Sequence, residues 1–206
     1  MKQIYKYPKT YHLEGSGLNS AKKAQDRIPF REIASRHLVV EEKMDGANVG
    51  ISFGNNGEMS LQSRGHFLTG GTREKHFSLF KQWAYSIANE LYSVMGDRYI
   101  LYGEWLYAKH TIFYNNLPHY FLEYDVLDLA TETFLDTNSR HKLLQNLEIK
   151  FVPVLYSGKP SNYAEITNLV GKSSYIQTGH IKALKSLCRS KKIDRFTTNN
   201  ATNRQY

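Results

Sequence analysis

One lysine and three residues that follow it are of types that could perform covalent catalysis. Lys43, Asp45, Gly46 and Asn48 lie between two apolar, β-prone runs, which predicts a strand, a tight connection and a second strand. A free lysine has a pKa of about 10.4, so its amine is almost entirely protonated at neutral pH. Partial desolvation or nearby cations favour the neutral, nucleophilic amine, and a strand end at the floor of a pocket offers such surroundings.

The residues after this lysine also suit a bound ligand. Gly46 can adopt backbone angles closed to other residues, and it lets a flat ring or a phosphate come close. Asn48 supplies an amide that can orient a phosphate or a metal-bound water, and Asp45 can accept hydrogen bonds. The alternative is a β-hairpin whose turn is Asp45 and Gly46 and whose lysine is solvated. This segment alone leaves both interpretations open.

Hydrophobic periodicity and turn residues predict the elements that must position these side chains. Strands are expected at residues 38–43, 48–53, 58–64, 98–106, 119–127 and 150–155. Helices are expected at residues 29–35, 73–95, 139–147, 160–169 and 179–189. Strands outnumber helices and several are joined by hairpins, which predicts an α+β domain with antiparallel sheets and flanking helices.

The composition indicates one globular domain. The chain has 206 residues, of which 41% are hydrophobic and 13% aromatic, enough to bury a core. No apolar run approaches the length needed to cross a bilayer, and the first residues lack the apolar stretch of a secretory signal. The single cysteine, Cys188, can form neither an internal disulfide nor a zinc site. We therefore expect a cytoplasmic protein without a membrane partner.

Positive charge is concentrated at the end of the sequence. The net charge is +8, and residues 172–206 contain eight Lys and Arg against one acid, Asp194. A basic end indicates contact with a polyanion such as RNA or DNA, although a solvated tail that aids solubility would have the same composition. Residues 191–206 are polar as well as basic and are expected to form a disordered tail.

Four polar segments resemble the motifs of the ATP-dependent polynucleotide ligases, which are covalent nucleotidyltransferases, in their usual order. Lys43-Met44-Asp45-Gly46 resembles motif I, and Ser63-Arg64-Gly65 resembles the arginine-bearing second element. Tyr102-Gly103-Glu104 resembles motif III, and Phe121-Leu122-Glu123-Tyr124-Asp125 resembles motif IIIa. The compact spacing and Asn48 are most similar to the RNA ligase 2 branch. The resemblance implies an ATP-grasp-like adenylation domain over residues 1–190.

The resemblance also implies a reaction and roles for particular residues. Lys43 would attack the α-phosphate of ATP and hold AMP, with Mg²⁺ offsetting charge on the pyrophosphate. The AMP would then pass to a 5′-phosphate RNA end, which a 3′-hydroxyl would seal. Glu42 would lie beside the adenine edge and contribute through its backbone. Arg64 would contact ribose or phosphate, although it could instead cap a surface turn.

Three further residues complete the nucleotide site that the resemblance implies. Glu104 would accept a hydrogen bond from a ribose hydroxyl, and Tyr124 would stack on the adenine, with Phe121 as the other candidate. Each role has a structural alternative, because Glu104 could pair with Lys109 and Tyr124 could be packed in the core. Asp45, Gly46 and Asn48 would lie in the same nucleotide pocket.

Two later family elements, motifs IV and V, are not recognisable in the sequence. Gly179-His180-Ile181-Lys182 has only a faint likeness to the end of such a segment. Loss of preorganised charges commonly lowers rates by about a hundredfold or more each. The alternatives are therefore a truncated, catalytically impaired remnant that binds nucleotide or RNA, and, within the ligases, a DNA ligase. Missing strands would also expose a sheet edge, which a partner chain or the tail would have to cover.

Overall fold

The computed structural model describes residues 3–14, 27–176 and 196–198 as a series of short strands and helices. The strands are β1 (His12–Leu13), β2 (Arg27–Ile28), β3 (Leu38–Glu41), β4 (Ala47–Phe53), β5 (Met59–Ser63), β6 (Tyr99–Trp105), β7 (Phe121–Asp128), β8 (Thr133–Phe134), β9 (Lys150–Phe151), β10 (Val154–Gly158) and β11 (Phe196–Thr198). The α-helices are α1 (Ser78–Ser86), α2 (Ala88–Met95), α3 (Thr137–Leu144) and α4 (Tyr163–Thr167). Two 3₁₀ helices cover Phe30–Glu32 and Thr72–Phe77.

A six-stranded sheet forms the centre of the fold. Its strand order is β5-β4-β6-β7-β8, and β9 pairs with β7 in parallel while the other pairs are antiparallel. Hydrogen-bonded strands lie about 4.8 Å apart, so side chains at matching register on β5, β4 and β6 are held close together. The α+β class with antiparallel sheets is confirmed.

The two faces of this sheet bury separate hydrophobic clusters. One cluster packs α1 and α2 against the sheet through residues such as Phe80, Leu91 and Ile51. The other contains Tyr102 and Tyr124 and has no contribution from α1 or α2. Because neighbouring residues of a strand point to opposite faces, every residue of β7 is buried on one side or the other.

The helix expected at residues 73–95 is interrupted. A 3₁₀ turn precedes α1, and Ile87 separates α1 from α2 with φ −113° and ψ 16°, outside the helical region. Both helices still bury their periodic apolar residues, so periodicity could not distinguish one helix from two with a single non-helical residue between them. Within the described part of the chain, no helix is both long and apolar enough to span a bilayer.

A second, three-stranded sheet surrounds the strand that leads to Lys43. The backbone of β3 pairs antiparallel with β10 on one side and with β11 on the other. Both edges of β3 are therefore paired within the described part of the chain, one of them by residues 196–198 of the expected tail, which form a strand. The strand expected at residues 150–155 is divided by Pro153, which has no N–H to donate. The helix expected at residues 179–189 lies outside the described residues.

A buried ion network joins α3 to both large sheets. Arg140 Nη1 donates to the two carboxylate oxygens of Glu123 at 2.7 and 2.8 Å, and Nη2 donates to Glu41. All three side chains are almost completely inaccessible to solvent. Burial raises the pKa of Glu123, although the neighbouring guanidinium opposes the shift. One guanidinium therefore bridges two buried carboxyl groups, and these contacts fix β3, β7 and α3 relative to one another.

Candidate functional site

An open cleft of about 1200 Å³ brings together five of the predicted site residues. They are Lys43, Gly46, Asn48, Arg64 and Glu104. Three adjacent strands determine their positions. Asn48 on β4 is directly opposite Glu104 on β6, and Arg64 immediately follows β5, which pairs with the other edge of β4. Lys43 lies in the connection between β3 and β4.

Glu104 is held at the wall of this cleft by the backbone that follows Lys43. Its Oε1 accepts a hydrogen bond from the N–H of Gly46 at 3.0 Å, and its side chain is buried. A charge-assisted bond of this kind fixes the carboxylate rotamer and leaves the carboxylate beside the ligand space. The alternative partner, Lys109, lines a different cleft.

Gly46 is required by close packing rather than by an unusual φ angle. A Cβ atom at this position would lie 2.5 Å from the carbonyl oxygen of Trp105 and 3.1 Å from Cγ of Glu104. The first of these contacts is with backbone, which cannot rotate away. A side chain at this position would therefore separate β4 from β6 and displace Glu104.

We expect Gly46→Ala to lower the free energy of unfolding by about 1–3 kcal/mol, because overpacking forces the backbone to shift. Urea denaturation followed by circular dichroism would measure the loss. Gly65→Ala is the matched control for stability, since a Cβ atom at Gly65 would meet nothing within 4 Å. Equal stability of the two variants would contradict this account of Gly46.

Among the described residues, three cations line the cleft. Lys43 is half-buried, Arg64 is exposed, and Lys9 contributes a third positive charge from the N-terminal segment. That segment is fixed because the carbonyl of Tyr5 accepts from Gln62 Nε2 at 2.7 Å and from the Tyr102 hydroxyl at 2.8 Å. The arrangement suits an anionic ligand such as a phosphate chain. The sequence offered no local signal for Lys9.

The structure corrects the expected aromatic wall. Phe121 is completely buried and packs on Trp83, with ring centroids 4.7 Å apart. Tyr124 is buried on the other face of the sheet, where its ring meets Tyr7 edge-on and its hydroxyl contacts Nδ2 of Asn48. Neither ring lines the cleft, so stacking of Phe121 or Tyr124 on the adenine stays a prediction that this geometry does not favour. Tyr124 contacts the site through its hydroxyl, which reaches Asn48.

Glu42 is also turned away from the cleft. Its backbone N–H donates to the carbonyl of Pro153 at 2.8 Å, and its buried carboxylate accepts from the N–H of Ser174 at 3.1 Å. Its backbone N–H and its carboxylate thus have protein partners, and they anchor residues 153 and 174 beside β3. A backbone contact of Glu42 with the adenine edge stays a prediction.

Asp45 faces the loop that follows β6 rather than the ligand space. Its Oδ2 accepts from the N–H groups of Thr111 and Ile112 at 2.7 and 2.8 Å, while its own N–H donates to the Tyr114 hydroxyl at 2.8 Å. Burial raises the pKa of Tyr114, which keeps that hydroxyl protonated. Asp45 therefore fastens the connection that carries Lys43 to residues 111–114, which corrects its expected place in the nucleotide pocket.

The cleft contains no ready-made metal cage. Among residues 3–14, 27–176 and 196–198, no group of three or more His, Cys, Asp or Glu side chains could hold a metal ion. Two carboxylates line the described part of the cleft: Glu104 accepts from the N–H of Gly46, and Glu74 accepts from the N–H of Gly70 and pairs with Lys81. Mg²⁺ commonly takes one or two carboxylates and completes its shell with water and substrate phosphates. The donor set fits an ion of that kind, bound together with a polyphosphate.

Comparisons with known proteins support this architecture. Two solved structures of a Naegleria gruberi RNA ligase are similar to the chain. The one with PPi has a TM-score of 0.53 and 16% identity, covering 82% of this chain and 48% of that one. A mutant with ATP and Mn has a TM-score of 0.50 and 18% identity, covering 69% and 43%. The chain thus spans less than half the length of these solved relatives, and the likeness shows a shared fold.

The sequence comparison identifies the family. No curated protein matched the chain. The sequence model of the RNA ligase family, in contrast, matches residues 36–193, which include every strand of the central sheet and both motifs around Lys43 and Glu104. This protein belongs to the RNA ligase family.

Proposed function

We propose that this protein is an ATP-dependent RNA ligase that forms a lysyl-AMP intermediate on Lys43 and joins 5′-phosphate to 3′-hydroxyl RNA ends. The observation that carries the proposal is the cleft in which Lys43, Arg64 and Glu104 meet although they are far apart in sequence. Membership of the RNA ligase family supports the reaction class. The solved relatives with ATP and Mn and with PPi support a nucleotide with a divalent cation as cofactors.

In the first step, Nζ of Lys43 attacks the α-phosphorus of ATP. The nitrogen–phosphorus bond forms while the bond to the bridging oxygen breaks, so pyrophosphate leaves with the electron pair and the amine releases a proton to solvent. Arg64 and Lys9 offset phosphate charge, and Glu104 accepts from a ribose hydroxyl. A divalent cation such as Mg²⁺, when bound with ATP, supplies positive charge against the pyrophosphate.

In the later steps, AMP passes from Lys43 to a 5′-phosphate end, and a 3′-hydroxyl then displaces it. Asn48 is placed to act on the nucleotide, because its side-chain Oδ1 is buried without a hydrogen-bond partner and the residue lines the cleft. A buried amide oxygen of this kind gains a partner when a ligand donor arrives.

A second candidate is a nucleotide- or RNA-binding protein without turnover. It is favoured by the lack of recognisable motifs IV and V in the sequence. In this case the cleft would bind ATP, but Lys43 would not become adenylylated. A DNA ligase would share the first step and differ in the strand that it joins.

Labelled ATP separates these candidates. The purified protein is incubated with Mg²⁺ and ATP carrying label at either the α- or the γ-phosphate, then resolved on a denaturing gel. We expect protein-bound label from the α-phosphate alone, together with an intact mass increased by one AMP. ATP binding without either signal would refute the ligase proposal and leave the binding protein. Joining assays with matched RNA and DNA ends identify whether the protein joins RNA or DNA.

A further inference from the structure

A second cleft of about 790 Å³ lies on the other side of Asp45, along the loop between β6 and β7. We call it the aromatic cleft, and its defining residues are Tyr107, Lys109, Phe113 and Tyr120, with Asp45 at its wall. It shares no lining residue with the cleft that contains Lys43. Nothing in the proposed chemistry of Lys43 uses it.

Three aromatic rings of this cleft are unusually open to solvent. Tyr107, Phe113 and Tyr120 are 47%, 55% and 46% exposed. Tyr107 stacks on the buried Trp105 at 6.3 Å and 28°, and Tyr120 stands edge-on to Tyr107 at 5.3 Å and 89°. The buried indole thus supports Tyr107 from one side and leaves much of the tyrosine ring uncovered. A cluster of exposed apolar rings commonly marks a binding surface.

The loop contains one lysine and no acid. Residues 106–120 contain Lys109, His110 and His119 and no Asp or Glu. Lys109 Nζ lies 6.0 Å from the centre of the Phe113 ring, so a cation and an aromatic face adjoin. His119 is structural, because its Nδ1 accepts from the N–H of Phe121. The one acid of the cleft, Asp45, is bound to the loop N–H groups of Thr111 and Ile112.

The aromatic cleft is fastened to the segment that carries Lys43. Asp45 lies two positions after Lys43, and its three hydrogen bonds to residues 111–114 hold the loop against that segment. A molecule bound by the loop is therefore held at a fixed distance from Lys43. This fixed relation suits a polymer that contacts both the loop and the cleft of Lys43.

We propose that the aromatic cleft binds unpaired bases of a single-stranded RNA segment next to the end that is joined. Open aromatic faces beside a cation are typical of sequence-tolerant binding to single strands. Bases stack on Tyr107 and Phe113, and Lys109 contacts the phosphate backbone. That the polymer is RNA rests on the proposed function. The binding surface itself rests only on the arrangement of the loop residues.

Substitutions at Tyr107 test the stacking contact. Fluorescence anisotropy measures the binding of a labelled, unstructured RNA of about ten nucleotides. This length fits the usual site sizes for single strands. Tyr107→Leu keeps apolar bulk without a ring and should weaken binding by about 5- to 150-fold, the range given by loss of one stacked base. Tyr107→Phe should bind within about twofold of wild type, because the ring is retained.

Two controls complete the design. Tyr85→Leu removes another exposed tyrosine, on α1, which does not line the aromatic cleft, and should bind RNA as wild type does. Lys109→Ala should lower the slope of log affinity against log salt by about one, because one phosphate contact is lost. Melting temperatures equal to that of wild type establish that each variant is folded.

Several outcomes would overturn the inference. The first is that wild type does not bind the RNA. The second is that Tyr107→Leu is folded and binds RNA as tightly as wild type does. The third is that Tyr107→Leu and Tyr107→Phe lose equal affinity for RNA. The AMP adduct is measured on wild type without RNA, so the two proposals fail separately. RNA binding that depends on the Tyr107 ring, without an adduct, would support the aromatic cleft and refute catalysis by Lys43. An AMP adduct together with RNA binding that does not depend on the Tyr107 ring would support catalysis by Lys43 and refute the aromatic cleft.

Discussion

Lys43→Arg is expected to abolish the AMP adduct, with a loss of about a thousandfold or more in adenylylation rate, the scale seen when a covalent nucleophile is removed. Arginine preserves the positive charge of the cleft, but its guanidinium stays protonated at all accessible pH values and cannot attack phosphorus. The substitution therefore removes the nucleophile while it retains the electrostatic attraction for ATP. Quantitative intact-mass measurements at several times after ATP addition would give the rate.

The matched control is Lys150→Arg, an exposed lysine on β9 that does not line the cleft. It should form the adduct at the rate of wild type. Fragmentation of the adduct by mass spectrometry would place the AMP on a single residue. An adduct of normal yield in Lys43→Arg would show that another residue is the nucleophile. Lys9, the other lysine along the described lining of the cleft, would then be the first candidate.

Arg140→Met should cause the largest loss of stability. Methionine fills much of the same volume, but Glu41 and Glu123 then remain buried without their shared cation. Breaking a buried pair by removing one partner typically costs about 3–5 kcal/mol, because an uncompensated charge stays in the interior. Urea denaturation at pH 7 would measure the change in the free energy of unfolding.

Arg98→Met is the control for this substitution. Arg98 also makes two hydrogen bonds to one carboxylate, that of Asp128, but its side chain is 52% exposed. Solvent screens such a pair, and Asp128 keeps the N–H of Ala130 as a donor, so we expect a loss of about 1 kcal/mol or less. Similar losses for both variants would contradict the view that burial makes the Arg140 network critical.

The pH dependence provides an independent check on Arg140→Met. Burial already raises the pKa of Glu123, and removal of Arg140 takes away the group that opposes this shift. A carboxyl group whose pKa is raised in the folded state destabilises the fold increasingly as the pH rises above the pKa that the group has in the unfolded state. The stability difference between Arg140→Met and wild type should therefore be smaller at pH 5 than at pH 8. A difference that is independent of pH would argue against unpaired carboxylates.

Local sequence patterns predicted most of the strands that form the site. The alternation around Asn48 and Glu104 predicted β4 and β6, and their antiparallel pairing places the two side chains side by side. Arg64 directly follows β5, as the resemblance implied. These positions depend on neighbours along the chain and on strand pairing, which the pattern of apolar residues largely determines.

The direction of individual side chains was harder to predict. Every residue of β7 is buried, so the alternation of apolar and polar residues could not tell whether Phe121 or Tyr124 lies on the side of the sheet that meets a ligand. The register also shifts between Tyr102 and Gly103, which breaks simple counting across β6 and β7. Asp45 lies in a connection, where a side chain can turn to either side, and the loop N–H groups that it accepts from are far away in sequence.

Long-range contacts account for the remaining differences. Lys9 reaches the cleft because residues 5 and 7 are bound to β5, β6 and β7, through hydrogen bonds that span 57 to 118 positions of sequence. The pairing of β11 with β3 crosses an even greater distance along the chain. Neither contact leaves a periodic signal, because each depends on complementary groups that meet only after the sheets have formed.

The pairing of β11 has a practical consequence for protein engineering. β3 ends at Glu41, two positions before Lys43, and one of its two edges is occupied by residues 196–198. A purification tag or fusion partner appended after residue 206 would therefore begin only eight residues beyond a strand that borders the nucleophile. Because residues 5 and 9 near the other terminus also contact or line the cleft region, an affinity handle at either end is better separated from the chain by a cleavable linker.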